Sequence, residues 1–194
     1  MIERAARYGA LLVLLVLGCR GERLALAALS QTPRPVRYDG SYFEIPYPGG
    51  DVPDSVGVCT DVVIRAYRKL GTDLQREVHE DIEAAPDAYG RIVRPDPSID
   101  HRRVANLCVF LQRRGASLPV SSRASDYRSG DIVTWLVPTT EPGRRESHIG
   151  IVVTPILPVL GRPLVCHHIA GRGPRTEDVL FAYHMTGHYR WLPR

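Results

Sequence analysis

Residues 57–67 read Gly57-Val-Cys-Thr-Asp-Val-Val-Ile-Arg-Ala-Tyr67; further on come Gly130-Asp-Ile-Val-Thr-Trp135 and Ser147-His-Ile-Gly-Ile-Val-Val153. In the first stretch Val58, Val62, Ala66, Tyr67 and Leu70 recur at helical spacing, and Gly71 supplies a C-terminal cap. The other two are β-branched runs bounded by turn residues, which predicts strands. Around the first lie two more helical patterns. Thr72-Asp-Leu-Gln75 has the form of a capping box and opens a helix that fades by Pro86. Asp100 can cap a helix whose apolar face is Val104, Leu107, Cys108 and Leu111. After Gly115 the strands take over, with Leu164-Val-Cys-His167 next and Phe181–Tyr183 and Gly187–Trp191 as further candidates. Helices first and an antiparallel meander afterwards make an α+β pattern.

The chemistry in these stretches centres on Cys59. It falls in the first turn of its helix, where unpaired backbone N–H groups and the positive end of the dipole favour a thiolate. Gly57, two residues earlier, allows a substrate backbone to come close. A thiolate nucleophile needs a base and a group that orients the base. His148 lies on one strand, on the same face as Gly150 and Val152, and His167 lies on the next; if the two strands pair, both imidazoles face one cleft. A free cysteine is also often a small buried apolar side chain. The residue pattern leaves both readings of Cys59 open, whereas Cys108 and Cys166, in apolar periodic segments, read as core.

The chain has 194 residues, 44% of them hydrophobic, enough for one domain with a real core. The net charge of +4 comes from scattered arginines, with Lys69 the only lysine, and no basic run or basic–aromatic ladder suggests nucleic acid. The four cysteines (Cys19, Cys59, Cys108, Cys166) show no CxxC spacing, so neither a disulfide framework nor a zinc ribbon is expected. Arg4 and Arg7 precede the apolar run Ala10–Leu17, too short to span a bilayer comfortably, which reads as a signal peptide over residues 1–18. Gly18-Cys19 resembles a bacterial lipobox, with Cys19 lipidated. A tether is expected over 19–40, containing a short helix at Leu24–Leu29, and the folded domain over 41–194. The folded part is expected in the bacterial cell envelope, periplasmic or held to the membrane only by an N-terminal lipid, and as a monomer.

The helical Cys59, the Gly130-Asp131 strand start, Ser147-His-Ile-Gly-Ile-Val152 and the later strand with His167 resemble the NlpC-type papain-like cysteine peptidases and amidases. The chain more closely resembles the bacterial family known as domain of unknown function 1287. That resemblance is carried by residues 57–67, Asp73–Gln75, Val78–Asp81, Ile99–Val104, Gly130–Trp135, His148–Ile151 and Thr186–Arg190, spanning about residues 45–191. It implies a papain-like α+β fold with N-terminal helices packed on an antiparallel sheet, and peptidoglycan stem peptides as substrate. It implies Cys59 as nucleophile, His148 as general base and His167 as the orienting residue, with no metal and no cofactor. Thr60 stands where the NlpC-type pattern has serine, and Tyr47-Pro48-Gly49-Gly50 is one residue shorter than the Tyr-x-x-Gly-Gly of that pattern. Tyr47, Asp61, Arg65, Arg102 and Arg103 are candidate substrate-binding residues, the last two because a bidentate arginine suits a stem-peptide carboxylate. Three rivals remain. They are a metal-dependent hydrolase using Cys166, His167, His168, His184 and His188, a wall-binding protein with an inactive cleft, and an acyltransferase on the same triad.

Overall fold

A computed structural model describes residues 19–90, 94–153, 162–169, 171 and 173–193. The signal-peptide stretch 1–18 lies outside the described residues. Four α-helices are described: α1 (Arg20–Leu29), α2 (Cys59–Lys69), α3 (Leu74–Ala84) and α4 (Val104–Arg113). A parallel pair, β1 (Arg37–Tyr38) and β2 (Val56–Gly57), lies between α1 and α2. The main sheet is built from β3 (Ser117–Leu118), β4 (Ile132–Pro138), β5 (Arg145–Val153), β6 (Leu164–His168), β7 (Pro174–Glu177) and β8 (His184–Tyr189). Its order is β3-β8-β4-β5-β6-β7, every neighbouring pair antiparallel. The α+β class expected from the residue pattern is therefore observed. None of the described helices is long and apolar enough to cross a membrane.

Strand alternation gives the sheet two apolar faces. One carries Ile132, Ile149, Ile151, Val153, Cys166 and Tyr189, and the helices cover it with Leu24, Val62, Val63, Tyr67, Phe110 and others. The opposite face carries Val133, Trp135, Val137, Val152 and Val165, closed by Tyr127 and Leu180. Cys166 is buried in the first of these clusters and Cys108 packs at its margin, as their periodic positions suggest.

Several expectations change here. The stretch 19–40 does not serve as a tether, because α1 is part of the core. Leu24 and Ala28 are fully buried, and the buried Gln31 amide donates to the carbonyl of Val62 at 2.9 Å. The docking is made by two glycines. A Cβ on Gly21 would lie 2.3 Å from the Ser129 carbonyl oxygen, and one on Gly130, at φ +85°, would lie 2.4 Å from that of Gly21. Neither position has room for a side chain. Asp100, expected as a helix cap, is instead buried, accepting from His79 at 2.9 Å and from the Asp96 N–H at 2.8 Å. His79 is buried with it. Phe181–Tyr183 forms a turn, and β7, whose Pro-Arg-Thr-Glu sequence has no apolar alternation, was not legible as a strand.

Candidate active site

Cys59 is the first residue of α2, with Val58 extended before it. Asp61, two residues on, turns its carboxylate back to accept the Val58 N–H at 2.6 Å and so fixes the helix start. Opposite lies β5. Val152 exchanges hydrogen bonds with Gly130 and Asp131 on the β4 side, so by alternation Ile149 directs its N–H to the β6 side. The β5–β6 ladder runs only from Ile151↔Cys166 to Val153↔Leu164. Ahead of Ile151 the two strands no longer pair, and the Ile149 N–H lies on the side of the buried Cys59 thiol.

His148 and His167 meet at the same divergence of strands. His148 Nε2 and His167 Nδ1 are 2.9 Å apart, with the rings edge-on at 89°. Gly150 makes this contact possible, since a Cβ there would lie 2.6 Å from Val165 Cγ1 and 3.2 Å from His167 Cβ. His167 Nε2 lies 2.9 Å from the carboxylate of Glu177 on β7, and Arg175 holds Glu177 at 2.7 Å. The tautomers follow from this chain. A carboxylate only accepts, so His167 carries its proton on Nε2 and accepts at Nδ1; His148 therefore donates from Nε2 and keeps its lone pair on Nδ1. Glu177 was not among the residues singled out from the sequence, and only its register opposite Val165, beside His167↔Arg175, brings it in.

Electrostatics make the resting pair neutral. Burial pushes the Cys59 thiol up to about 12, more than the backbone N–H groups of Ile149, Thr60 and Cys59 offset, and Asp61 adds to the rise. Burial drives His148 down to about 3, helped by the charges of His167, His168 and Arg175. His167 is also lowered, by burial first, with Glu177 opposing. Burial alone would raise Glu177, but Arg175 and His167 bring it below the usual carboxylate range. The expectation of a thiolate stabilised by the helix dipole is thus corrected: the dipole acts, but desolvation outweighs it. Thiolate then forms only as pH climbs toward the thiol's own value. The rate of Cys59 alkylation by iodoacetamide should rise about tenfold per pH unit from pH 7 to 10; a plateau below pH 8, followed by mass spectrometry, would contradict the neutral pair.

Tyr38 completes the cluster. Its hydroxyl is raised by burial and next by the charge at Cys59, and its ring packs edge-on against His168 at 5.1 Å. His168 is buried, its Nε2 has no hydrogen-bond partner, and burial takes it down to about 4. Beside Tyr38 opens a groove of about 660 Å³ lined by Pro35, Arg37, Ser55, Gly171 and Gly173.

The substrate-binding candidates mostly have other tasks. Arg102 and Asp61 form a buried ion pair with two bonds of 3.0 Å, side chains 2% and 3% exposed, so neither is free for a substrate carboxylate. Arg65 binds Asp51 at 3.0 Å and the carbonyls of Val52, Pro53 and Val56. Gly57 leaves room for Asp61 and Arg65, not for a ligand, since a Cβ there would sit 3.3–3.4 Å from both. Tyr47 packs on His79 and faces Glu80 at 3.5 Å. Arg103 stands exposed before α4. The rival metal constellation is not assembled. His188 is bound to Asp131, Cys166 faces the helices, and His184 is exposed. Among the described residues no group of three or more His, Cys, Asp or Glu is placed to hold a metal.

A cysteine-bearing helix followed by an antiparallel sheet carrying two hydrogen-bonded histidines makes an α+β class with the order of elements that the sequence resemblance implies. Within that class, the chain belongs to the family described as Domain of unknown function (DUF1287), whose profile matches residues 25–191. It is 44% identical over 172 residues to "Uncharacterized protein YijF" of Escherichia coli K12, covering 87% of this chain and 80% of that protein. Among solved structures it is similar to NlpC1 from Trichomonas vaginalis (17% identity, TM-score 0.49, 91% of this chain and 46% of that one). It is also similar to an N-acetylmuramoyl-L-alanine amidase from Bacteroides uniformis (13% identity, TM-score 0.48, 89% and 98%). The chain spans about half the length of the trichomonad protein.

Proposed function

We infer that the protein is a thiol hydrolase that cleaves an amide bond, with peptidoglycan stem peptides as substrate. The observation that carries this reading is the hydrogen-bonded chain from Glu177 through His167 to His148 on β5, the neighbour in sequence of Ile149, which shares a buried cluster with Cys59. Buried imidazoles in series, with tautomers set by a carboxylate, leave the lone pair of His148 Nδ1 as the basic end of the chain. Cys59 attacks the amide carbonyl while His148 Nδ1 takes the thiol proton; because both groups rest neutral, transfer and attack proceed together. In this reading the Cys59 N–H, at the start of α2, receives the oxyanion. His148 passes the proton to the leaving amine, and water hydrolyses the thioester. The groove beside Tyr38 is the approach for the peptide. The wall-peptide substrate is supported by the sequence likeness of the helical Cys59, Gly130-Asp131, residues 147–152 and the later strand with His167 to NlpC-type hydrolases. An exported protein anchored through lipid on Cys19 is part of the same proposal.

Mass spectrometry of purified peptidoglycan after incubation with the protein tests the reading: soluble stem-peptide fragments are expected, and intact polymer that merely co-sediments with the protein would favour a binder. The role of Glu177 has its own readout. Glu177→Gln can donate as well as accept, so it releases the tautomer of His167. A fall in kcat of roughly tenfold with KM little changed is expected; unchanged kcat across the pH range would remove Glu177 from the relay.

A further inference from the structure

The groove beside Tyr38 ends on two polar groups that the steps at Cys59, His148, His167 and Glu177 leave unused. One wall of the groove is the β1 segment, where the β1–β2 register sets Tyr38 opposite Gly57, two residues ahead of Cys59. The other wall is the turn from β6 into β7, which supplies Gly171 and Gly173. His168 closes β6 and pairs with Pro174, directly after that turn. The Tyr38 and His168 rings touch edge-on where the two walls meet, with centroids 5.1 Å apart. His168 is 1% exposed, yet its Nε2 meets no hydrogen-bonding atom among the described residues. The Tyr38 hydroxyl bonds to no described residue either. A buried polar atom without a partner is rare in folded proteins and costly, because the water it gave up is not replaced. Two such groups in contact at the inner end of an open groove point to a ligand group that enters through it.

The chemistry of that group follows from charge. The arginines whose charge reaches the pair are all engaged: Arg102 by Asp61 at 3.0 Å, Arg65 by Asp51 at 3.0 Å and Arg175 by Glu177 at 2.7 Å. Arg37, on the groove itself, is held by Asp39 at 2.8 Å. Burial takes His168 down to about 4, so its ring is neutral near pH 7. A ligand carboxylate at the inner end would lose its water and meet no free counter-charge. A neutral carboxamide loses far less. Its C=O accepts and its N–H donates, and the pair can answer both, since a hydroxyl donates and accepts and a neutral imidazole nitrogen does one or the other. We propose that Tyr38 and His168 form a carboxamide subsite: an uncharged amide group of the substrate, next to the bond that Cys59 attacks, binds against them, and a free carboxylate in that place is rejected. The substrate class rests on the thiol-hydrolase reading; the preference for a neutral group rests on the subsite alone.

Two synthetic stem tetrapeptides, L-Ala-γ-D-Glu-L-Lys-D-Ala with the glutamyl α-carboxyl either free or amidated, test it. They are titrated calorimetrically into the whole chain carrying Cys59→Ala, which removes turnover. The amidated peptide is expected to bind at least about tenfold more tightly. Tyr38→Phe in the same background removes only a hydroxyl that no described residue holds, and should narrow that ratio about fivefold, while His168→Asn, which keeps a donor and an acceptor, should preserve it. Equal affinities, tighter binding of the free acid, no measurable binding of either peptide, or a ratio untouched by Tyr38→Phe overturns the proposal. Turnover by the wild type is read separately. Preferential binding of the amide with no fragment released would remove the hydrolase reading and keep the subsite; release from both peptides at equal kcat/KM, with equal affinities, would do the reverse.

Discussion

Cys59→Ala should reduce the release of stem-peptide fragments from purified peptidoglycan by at least about a thousandfold, since loss of the nucleophile in a thiol or serine triad removes nearly all chemistry beyond binding. The fold should survive. The sulfur is a buried neutral thiol packed among Val62, Ile149 and their neighbours, so alanine removes one heavy atom and costs about 1 kcal/mol. Cys59→Ser is expected to be as inactive, because a hydroxyl rests with an even higher pKa and nothing at this site lowers it. Wild-type activity should persist in a chelator. Fragment release by Cys59→Ala at near wild-type rates would end the thiol reading, and loss on chelation would revive the metal one.

Asp61→Ala is expected to have the largest effect on stability, about 3–5 kcal/mol, because it leaves the Arg102 guanidinium buried without its counter-charge. It also frees the Val58 N–H and so loosens the helix start under Cys59. For a chain of this size that corresponds to a fall in Tm of about 10 °C. Arg102 has further partners at the carbonyls of Ser41 and Asp39, so part of the penalty is moderated by the chain around it. Pairing Asp61→Ala with Arg102→Met should recover a large share of the loss, since an apolar pair is tolerated where a lone charge is not. Were Asp61 a substrate contact, KM would rise while Tm stayed put, and thermal melting beside kinetics separates the two.

The residues that punctuate local structure were the legible ones. The 3.6-residue spacing around Cys59, the β-branched run around His148 and the apolar run ending at His167 each declared an element, and the structure brings His148 and His167 into direct contact. What escaped was set by pairing at long range. Glu177 sits on a strand of polar residues with no periodicity, and its place next to His167 depends on the β6–β7 register. Tyr38 lies in a stretch that reads as loop and is positioned by the two-residue pairing of β1 with β2. Asp61 and Arg102 are 41 positions apart, and nothing in either neighbourhood marks them as partners rather than as groups awaiting a ligand. Desolvation is likewise invisible along the chain: a helix start reads as favouring thiolate whether or not the sheet closes over it.

The glycine-to-glycine docking of α1 bears on where such an enzyme could work. The helix begins at the residue after Cys19 and is clamped to the head of β4 within its first turn. Were Cys19 to carry acyl chains, the domain would have almost no slack between bilayer and body. It would ride close against the lipid headgroups in a fixed attitude and reach only the layer of polymer nearest the membrane, and lengthening that junction with a few flexible residues should extend its range to outer strands.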